Sequence, residues 1–164
     1  MRMEYIAKLC IAGMLAVSLT ACSTINTKVG GVFGMDTDLK LTFEADTGIN
    51  PDDNKKPAPL FVRLYELKSD KQFRNANFID LYERDKEVLG ADMIAKQNLK
   101  HIAPGETRQD EYVLDTQTRF VGLFAEFSQY KDASFKVIIP VAPTNVVASS
   151  AVVSVSGNRI SVTH

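Results

Sequence analysis

A chain of 164 residues with 19 basic and 20 acidic side chains, a formal net charge of −1 at pH 7, has room for one domain with a sizeable core. It carries no basic excess with which to neutralise nucleic-acid phosphates or to cling to anionic headgroups. Two cysteines and two histidines leave little material for a disulfide framework or a metal site, and bulky core candidates come from nine Phe and five Tyr in the absence of Trp.

The chain begins with Arg2 and Lys8 around and ahead of an apolar run from Leu9 to Leu19, which ends in Leu19-Thr20-Ala21-Cys22. A positive n-region, an apolar h-region and a small-residue cleavage site have the layout of a secretory signal peptide. The run is too short to cross a bilayer, which takes about 20 apolar residues. Leu-Thr-Ala-Cys also resembles a bacterial lipobox, in which cleavage falls just before a cysteine that carries the lipid. Cleavage there removes residues 1–21 of 164 and leaves 143; losing Arg2, Lys8 and Glu4 takes the charged side chains to 17 basic and 19 acidic, a net charge of −2. Cys10 departs with the signal peptide and Cys22 is acylated, so no thiol remains to form a disulfide or a cysteine metal site. Any hold on a membrane then comes from lipid.

Residues 22–36, with Gly30, Gly31 and Gly34, read as the acylated Cys and a flexible tether; the glycines do not join a strand to a helix as a phosphate loop requires. Asp38 to Ala45 alternates, with Leu39, Leu41, Phe43 and Ala45 opposite Lys40, Thr42 and Glu44, as in a half-buried strand. Asp46 to Pro59 is a long turn-forming loop stiffened by Pro51, Pro57 and Pro59. Its Asp52-Asp53-Asn54-Lys55-Lys56 lacks the alternate spacing, the glycine and the distal Glu of a calcium loop. Leu60 to Leu67 is apolar on both faces, which predicts a strand inside a sandwich with Arg63 near an edge or paired.

The period then changes. Asn77 is placed to cap a short helix carrying Phe78, Leu81 and Tyr82 on one face, and the mixed charges from Glu83 to Glu87 predict a solvated helix face or connector. Gly90 closes this region, Ile94 to Ile102 is a weak strand, and Pro104-Gly105 is a turn. Thr107 to Leu114 reads as a polar strand near an edge. Phe120 to Phe127 reads as a second central strand, in which Gly122 marks a close backbone approach. Phe135 to Val141 is confined to an edge or bulge at Pro140, and Val146 to Val155 pairs with Arg159 to Val162 across the turn Ser156-Gly157-Asn158. Residues 37–164 are therefore expected to form an all-β, two-sheet antiparallel sandwich of seven to eight strands, with one or two short helices inserted.

Chemistry is sparse. His101 stands alone, His164 is the last residue, and neither belongs to a zinc pattern; there is no Gly-x-Ser-x-Gly elbow and no cysteine nucleophile. The acidic residues that can be placed fall on turns, on the charged connector or on outward strand faces, which are solvated positions poorly suited to acid–base work. Neither catalysis nor a cofactor is expected, which leaves binding or assembly. A lipoprotein that binds a small ligand or glycan is the alternative; it would need a concave apolar pocket with convergent polar groups, and the sequence shows no exposed aromatic cluster that demands one.

Several strings in order resemble the TssJ family, the outer-membrane lipoproteins of the bacterial type VI secretion system. They are the lipobox at Cys22, Ile49-Asn50-Pro51-Asp52, the run Pro59 to Leu67, Phe73-Arg74-Asn75-Ala76-Asn77-Phe78, Leu89-Gly90-Ala91-Asp92, Pro104-Gly105 and Val121 to Phe127. One departure is Phe135, before Lys136, where family members often carry Trp. The resemblance implies a transthyretin-like sandwich anchored to the inner leaflet of the outer membrane through acyl chains on Cys22 and facing the periplasm. Ser23 after the cysteine, in place of Asp, points the same way. It also implies binding to the periplasmic domain of the inner-membrane protein TssM, and through it to TssL, by the loop between the first two strands. Here that loop offers Asn50, Asp52, Asp53, Asn54, Lys55 and Lys56.

Overall fold

The computed structural model describes residues 37–141 and 149–163. The expected signal peptide, Cys22, the expected tether with its glycines, the start of the strand expected from Val146, and His164 lie outside the described residues. Among these residues eight strands form: β1 (Thr37–Ala45), β2 (Val62–Leu67), β3 (Met93–Asn98), β4 (Thr107–Leu114), β5 (Phe120–Ala125), β6 (Lys136–Pro140), β7 (Ser149–Ser156) and β8 (Arg159–Thr163). They make two four-stranded sheets, ordered β4-β1-β7-β8 and β3-β2-β5-β6.

The expected sandwich is present, with two departures. The pair β1–β7 is parallel, with Leu39 opposite Ser149 and Ala45 opposite Val155, while every other strand pair is antiparallel. Parallel neighbours need a long crossover, and the whole second sheet lies between β1 and β7 in the chain. The other departure is in the helices. Among the described residues three short ones form rather than one or two, α1 (Lys71–Asn75), α2 (Phe78–Glu83) and α3 (Asp85–Leu89), together with 3-10 turns at Gly90–Asp92 and Tyr130–Asp132.

These helices form a third layer, which is why both faces of β2 and β5 are apolar. Leu39, Leu41, Phe43, Leu64, Leu123 and Val153 are buried in the core between the sheets. The opposite faces of β2 and β5 turn Tyr65, Leu67 and Phe124 into a second core with Phe73, Phe78 and Leu81 of the helices. Gly122 sits in the middle of β5, and a Cβ there would lie 2.8 Å from the buried Phe73 ring; the close approach is of a helix side chain to the strand.

Helix starts and ends follow local rules. Asn77 caps α2 in a reciprocal box, accepting from the Asp80 amide at 2.9 Å while its own amide donates to the Asp80 carboxylate at 3.3 Å. The α1 end is closed from afar: Lys136 Nζ donates to the carbonyls of Phe73 (3.0 Å), Arg74 (2.6 Å) and Ala76 (2.5 Å). A cation at a helix C-terminus is favourable in itself. Phe135 beside it meets Phe78 and Phe124 edge-on, with centroids 5.3 and 6.0 Å apart. The Phe135-Lys136 pair thus fastens the helical layer to β6.

At the far side, the Gly157-Asn158 hairpin turn has its positive φ (54°) at glycine, and Ser134 exchanges hydrogen bonds with Asn158 and Ile160, stitching the two sheets together next to β6.

Candidate functional site

The loop from Asp46 to Pro59 is held on three sides. Asp46 N donates to Val155 O (2.9 Å) and Asn50 N to Gly157 O (2.8 Å), which ties the loop to the β7–β8 hairpin. Gly105 N donates to Asp46 O at 3.1 Å. Asn50, with φ 45°, turns inward and is 3% exposed; its Nδ2 donates to Pro59 O (2.9 Å) and its Oδ1 accepts from Ser128 N (2.8 Å). Asn tolerates this left-handed backbone better than most residues, because its short side chain bonds locally.

The tip is a tight turn built on Asp52. One carboxylate oxygen accepts from the amides of Asn54 and Lys56, each at 2.8 Å, while Lys55 takes a φ of 62°. From the β5–β6 segment, Gln129 Nε2 reaches Asp52 O at 3.1 Å and Asp53 Oδ1 at 3.4 Å. Of the six loop residues singled out from sequence, Asn50 and Asp52 therefore organise the loop, and Asp53, Asn54, Lys55 and Lys56 are exposed at its tip. Asn50→Ala is expected to lower stability by about 1–2 kcal/mol by leaving the Ser128 amide and Pro59 carbonyl without their partner. Limited proteolysis should show faster cleavage between 50 and 59 than in the unaltered protein.

The loop runs on into an exposed apolar surface that the sequence pattern hid. Phe61 is 58% exposed and Tyr82 47%, with Ile79 beside the latter. Three shallow, open depressions of about 520, 390 and 360 Å³ meet along this face, and Glu126 lines all of them. The strand expected from Leu60 to Leu67 inside the sandwich would bury Phe61; the residue instead precedes β2 and is exposed. Its closest aromatic neighbour is His101, at 6.1 Å between centroids.

Under this surface lies an ion cluster. Asp85 was expected on a solvated connector, yet its side chain is 9% exposed and accepts from Tyr65 Oη (2.8 Å) and Lys96 Nζ (2.7 Å), with Arg63 Nη1 at 3.5 Å. Arg63 also donates through Nε to Glu126 (2.5 Å) and through Nη1 to the carbonyls of Leu81 and Tyr82, each at 3.1 Å, at the C-terminal end of α2. Glu66 is a second buried carboxylate, accepting from Asp115 N (2.7 Å) and Thr118 Oγ1 (2.8 Å). The expectation of a solvated charged connector is corrected at Asp85, and Glu66 is buried as well; in each case the acid holds structure together.

Burial alone pushes the Asp85 carboxyl up, but hydrogen bonds from Lys96 and Tyr65 and the charge of Lys96 together hold it below the ordinary carboxylate value. Burial, and then acceptance by Asp85, drives the Tyr65 hydroxyl well above its usual value. A carboxyl with a folded-state value below its unfolded one contributes stability that is complete above the unfolded value, about 3.9. That contribution is lost as pH falls through the folded value. Asp85→Asn is accordingly expected to cost about 2–3 kcal/mol at pH 7. In urea unfolding, stability should fall less steeply in the variant than in the parent as pH drops below about 4.

Among the described residues no group of His, Cys, Asp or Glu side chains is arranged to hold a metal ion, and no helix is long and apolar enough to cross a membrane.

A family profile described as type VI secretion lipoprotein, VasD, EvfM, TssJ matches residues 37–160. The fold is similar to that of the T6SS lipoprotein TssJ1 from Pseudomonas aeruginosa, with a TM-score of 0.71 and 29% identity over 78% of this chain and 95% of that one. It is similar to a chain of a type VI membrane complex (TM-score 0.66, 26% identity, 78% and 98% covered). A third similar chain comes from a structure described as the T6SS protein TssM C-terminal domain (869–1107) from EAEC (TM-score 0.65, 24% identity, 77% and 98% covered). Among curated protein sequences none matches.

Proposed function

Because the chain belongs to the type VI secretion lipoprotein family, which comprises VasD, EvfM and TssJ and is a family of assembly proteins rather than enzymes, we propose that it builds the secretion machinery's membrane complex by binding the periplasmic domain of TssM. In this reading the acyl chains on Cys22 hold it in the outer membrane, facing the periplasm, and TssM connects it to TssL in the inner membrane. The observation that carries the proposal is the first loop, which is fastened at Asn50, at the β7–β8 hairpin and at Gln129 and holds Asp53, Asn54, Lys55 and Lys56 outward. A loop already ordered before encounter loses less conformational freedom on binding, which favours affinity. The similarity to chains of a type VI membrane complex and of the structure named for the TssM C-terminal domain supports the same partner.

Replacing Asp53, Asn54, Lys55 and Lys56 with Gly and Ser, while keeping Asn50 and Asp52, tests the loop. Titration calorimetry against the purified periplasmic region of TssM should show affinity weakened about tenfold, or about 1.4 kcal/mol. The thermal midpoint should be unchanged, since the replaced side chains are exposed. Unaltered affinity would remove the tip from the interface.

A further inference from the structure

We infer that the exposed aromatic surface beside the first loop, made by Phe61, Ile79 and Tyr82 around the Arg63–Glu126 ion pair, is the anchor of the partner interface, and that it receives an apolar side chain of TssM flanked by a basic one. This inference rests on the partnership proposed above.

The surface is continuous with the loop. Ala58 and Pro59, the loop's last residues, line one depression with Phe61 and Glu126; Glu126 and Ser128 also line the next, with Ile79 and Tyr82. Ser128 is itself the residue whose amide bonds Asn50. Loop tip and aromatic surface therefore belong to one rigid face.

Its composition is that of an energetic centre. Of the four large apolar side chains that are exposed among the described residues, three gather here, and Arg63 lies with its guanidinium carbon 5.3 Å from the centroid of the Tyr82 ring. Interface centres are enriched in aromatic residues and Arg and surrounded by polar rims. Tyr82 stacks on Phe78, which stacks on Tyr130 (centroids 5.8 and 4.3 Å), so the exposed ring rests on a packed aromatic column and loses little freedom when covered.

The charge of the rim defines the flanking group. Glu83 is exposed and makes no ion pair among the described residues, and Glu126 binds Arg63 through Oε1, with no hydrogen bond to its Oε2 among them. The nearby cations are already engaged, Lys96 by Asp85 and Arg63 by Glu126. The carboxylate of Glu83 and the unused oxygen of Glu126, next to an apolar centre, complement a Lys or Arg beside an aliphatic or aromatic side chain.

The test uses the acylated mature protein in detergent, titrated with the purified periplasmic region of TssM. Phe61→Glu and Tyr82→Ala should each weaken binding by about tenfold or more, beyond the effect of the loop-tip variant. Glu83→Lys should weaken it several-fold at low salt and less at high salt. Thermal midpoints within a few degrees of the parent would assign the losses to the surface, and Phe61→Leu, which keeps an apolar side chain, should retain most of the affinity. Parent-like affinity in both Phe61→Glu and Tyr82→Ala, with the loop-tip variant still weak, would overturn the inference and leave the proposed function standing. Absence of binding by the parent protein would overturn both. If the parent self-associates in light scattering and Phe61→Glu abolishes that while TssM affinity is unchanged, the face pairs two copies of this chain and the inference falls.

Discussion

Gly122→Val is expected to destabilise the domain by about 3 kcal/mol or more, a large share of the roughly 5–15 kcal/mol that holds a domain of this kind together. Strand propensity argues for the opposite result. Glycine inside a strand costs conformational entropy and valine is favoured there, and Gly122 is not in the left-handed region that would demand glycine. What decides the sign is space. The position faces the fully buried ring of Phe73, three of whose carbons would lie 2.8–2.9 Å from an added Cβ, and that ring is wedged against Tyr65 at 5.6 Å between centroids. Gly122→Ala should already lower the urea midpoint. Combining Gly122→Ala with Phe73→Leu should lose less than the two single variants summed, by about 1 kcal/mol, because the smaller side chain makes room. Strict additivity would show that the Phe73 ring is not what excludes a side chain at 122.

Cys22→Ser is expected to release the protein from the membrane fraction and to abolish secretion, with the thermal midpoint of the domain unchanged. Burial of each methylene contributes about 0.8 kcal/mol, and one acyl chain gives only marginal attachment, so a hold of useful lifetime takes more than one chain on this cysteine. The net charge is near neutral, and among the described residues no helix is long and apolar enough to cross a bilayer. β1 begins at Thr37, well beyond Cys22 in the chain, so loss of acyl chains there is expected to leave folding unchanged. Fractionation, calorimetric melting and a secretion assay on the same strain check all three parts; secretion by an unlipidated variant at native expression would refute the requirement for the anchor.

Much of the fold is written in short-range pattern. The alternation from Leu39 to Ala45 and the two apolar faces of Val62–Leu67 and Phe120–Ala125 are local features, and their strands form where that pattern runs. The same holds for the Asn77 cap, the glycine of the 156–159 turn and the edge position of β6 with Pro140. The first loop's extent is equally legible, because prolines and turn residues mark it. The family resemblance carried by its flanking strings agrees with the profile match over 37–160.

What stayed hidden depends on residues far apart in the chain. Side-chain alternation has a period of two whichever way the neighbouring strand runs, so it cannot announce that β1 and β7 are parallel. Nor can it say that one apolar face of β2 is covered by a sheet and the other by helices. Charge alone placed Asp85 in solvent; it is buried because Tyr65, Arg63 and Lys96, up to 22 positions away, supply the donors that a buried carboxylate requires. Phe61 is exposed for the converse reason, that no layer reaches over it. Local propensity and periodicity thus determined the elements and the loop, whereas the packing of one layer on another alone decided which polar groups are buried and which aromatics face outward.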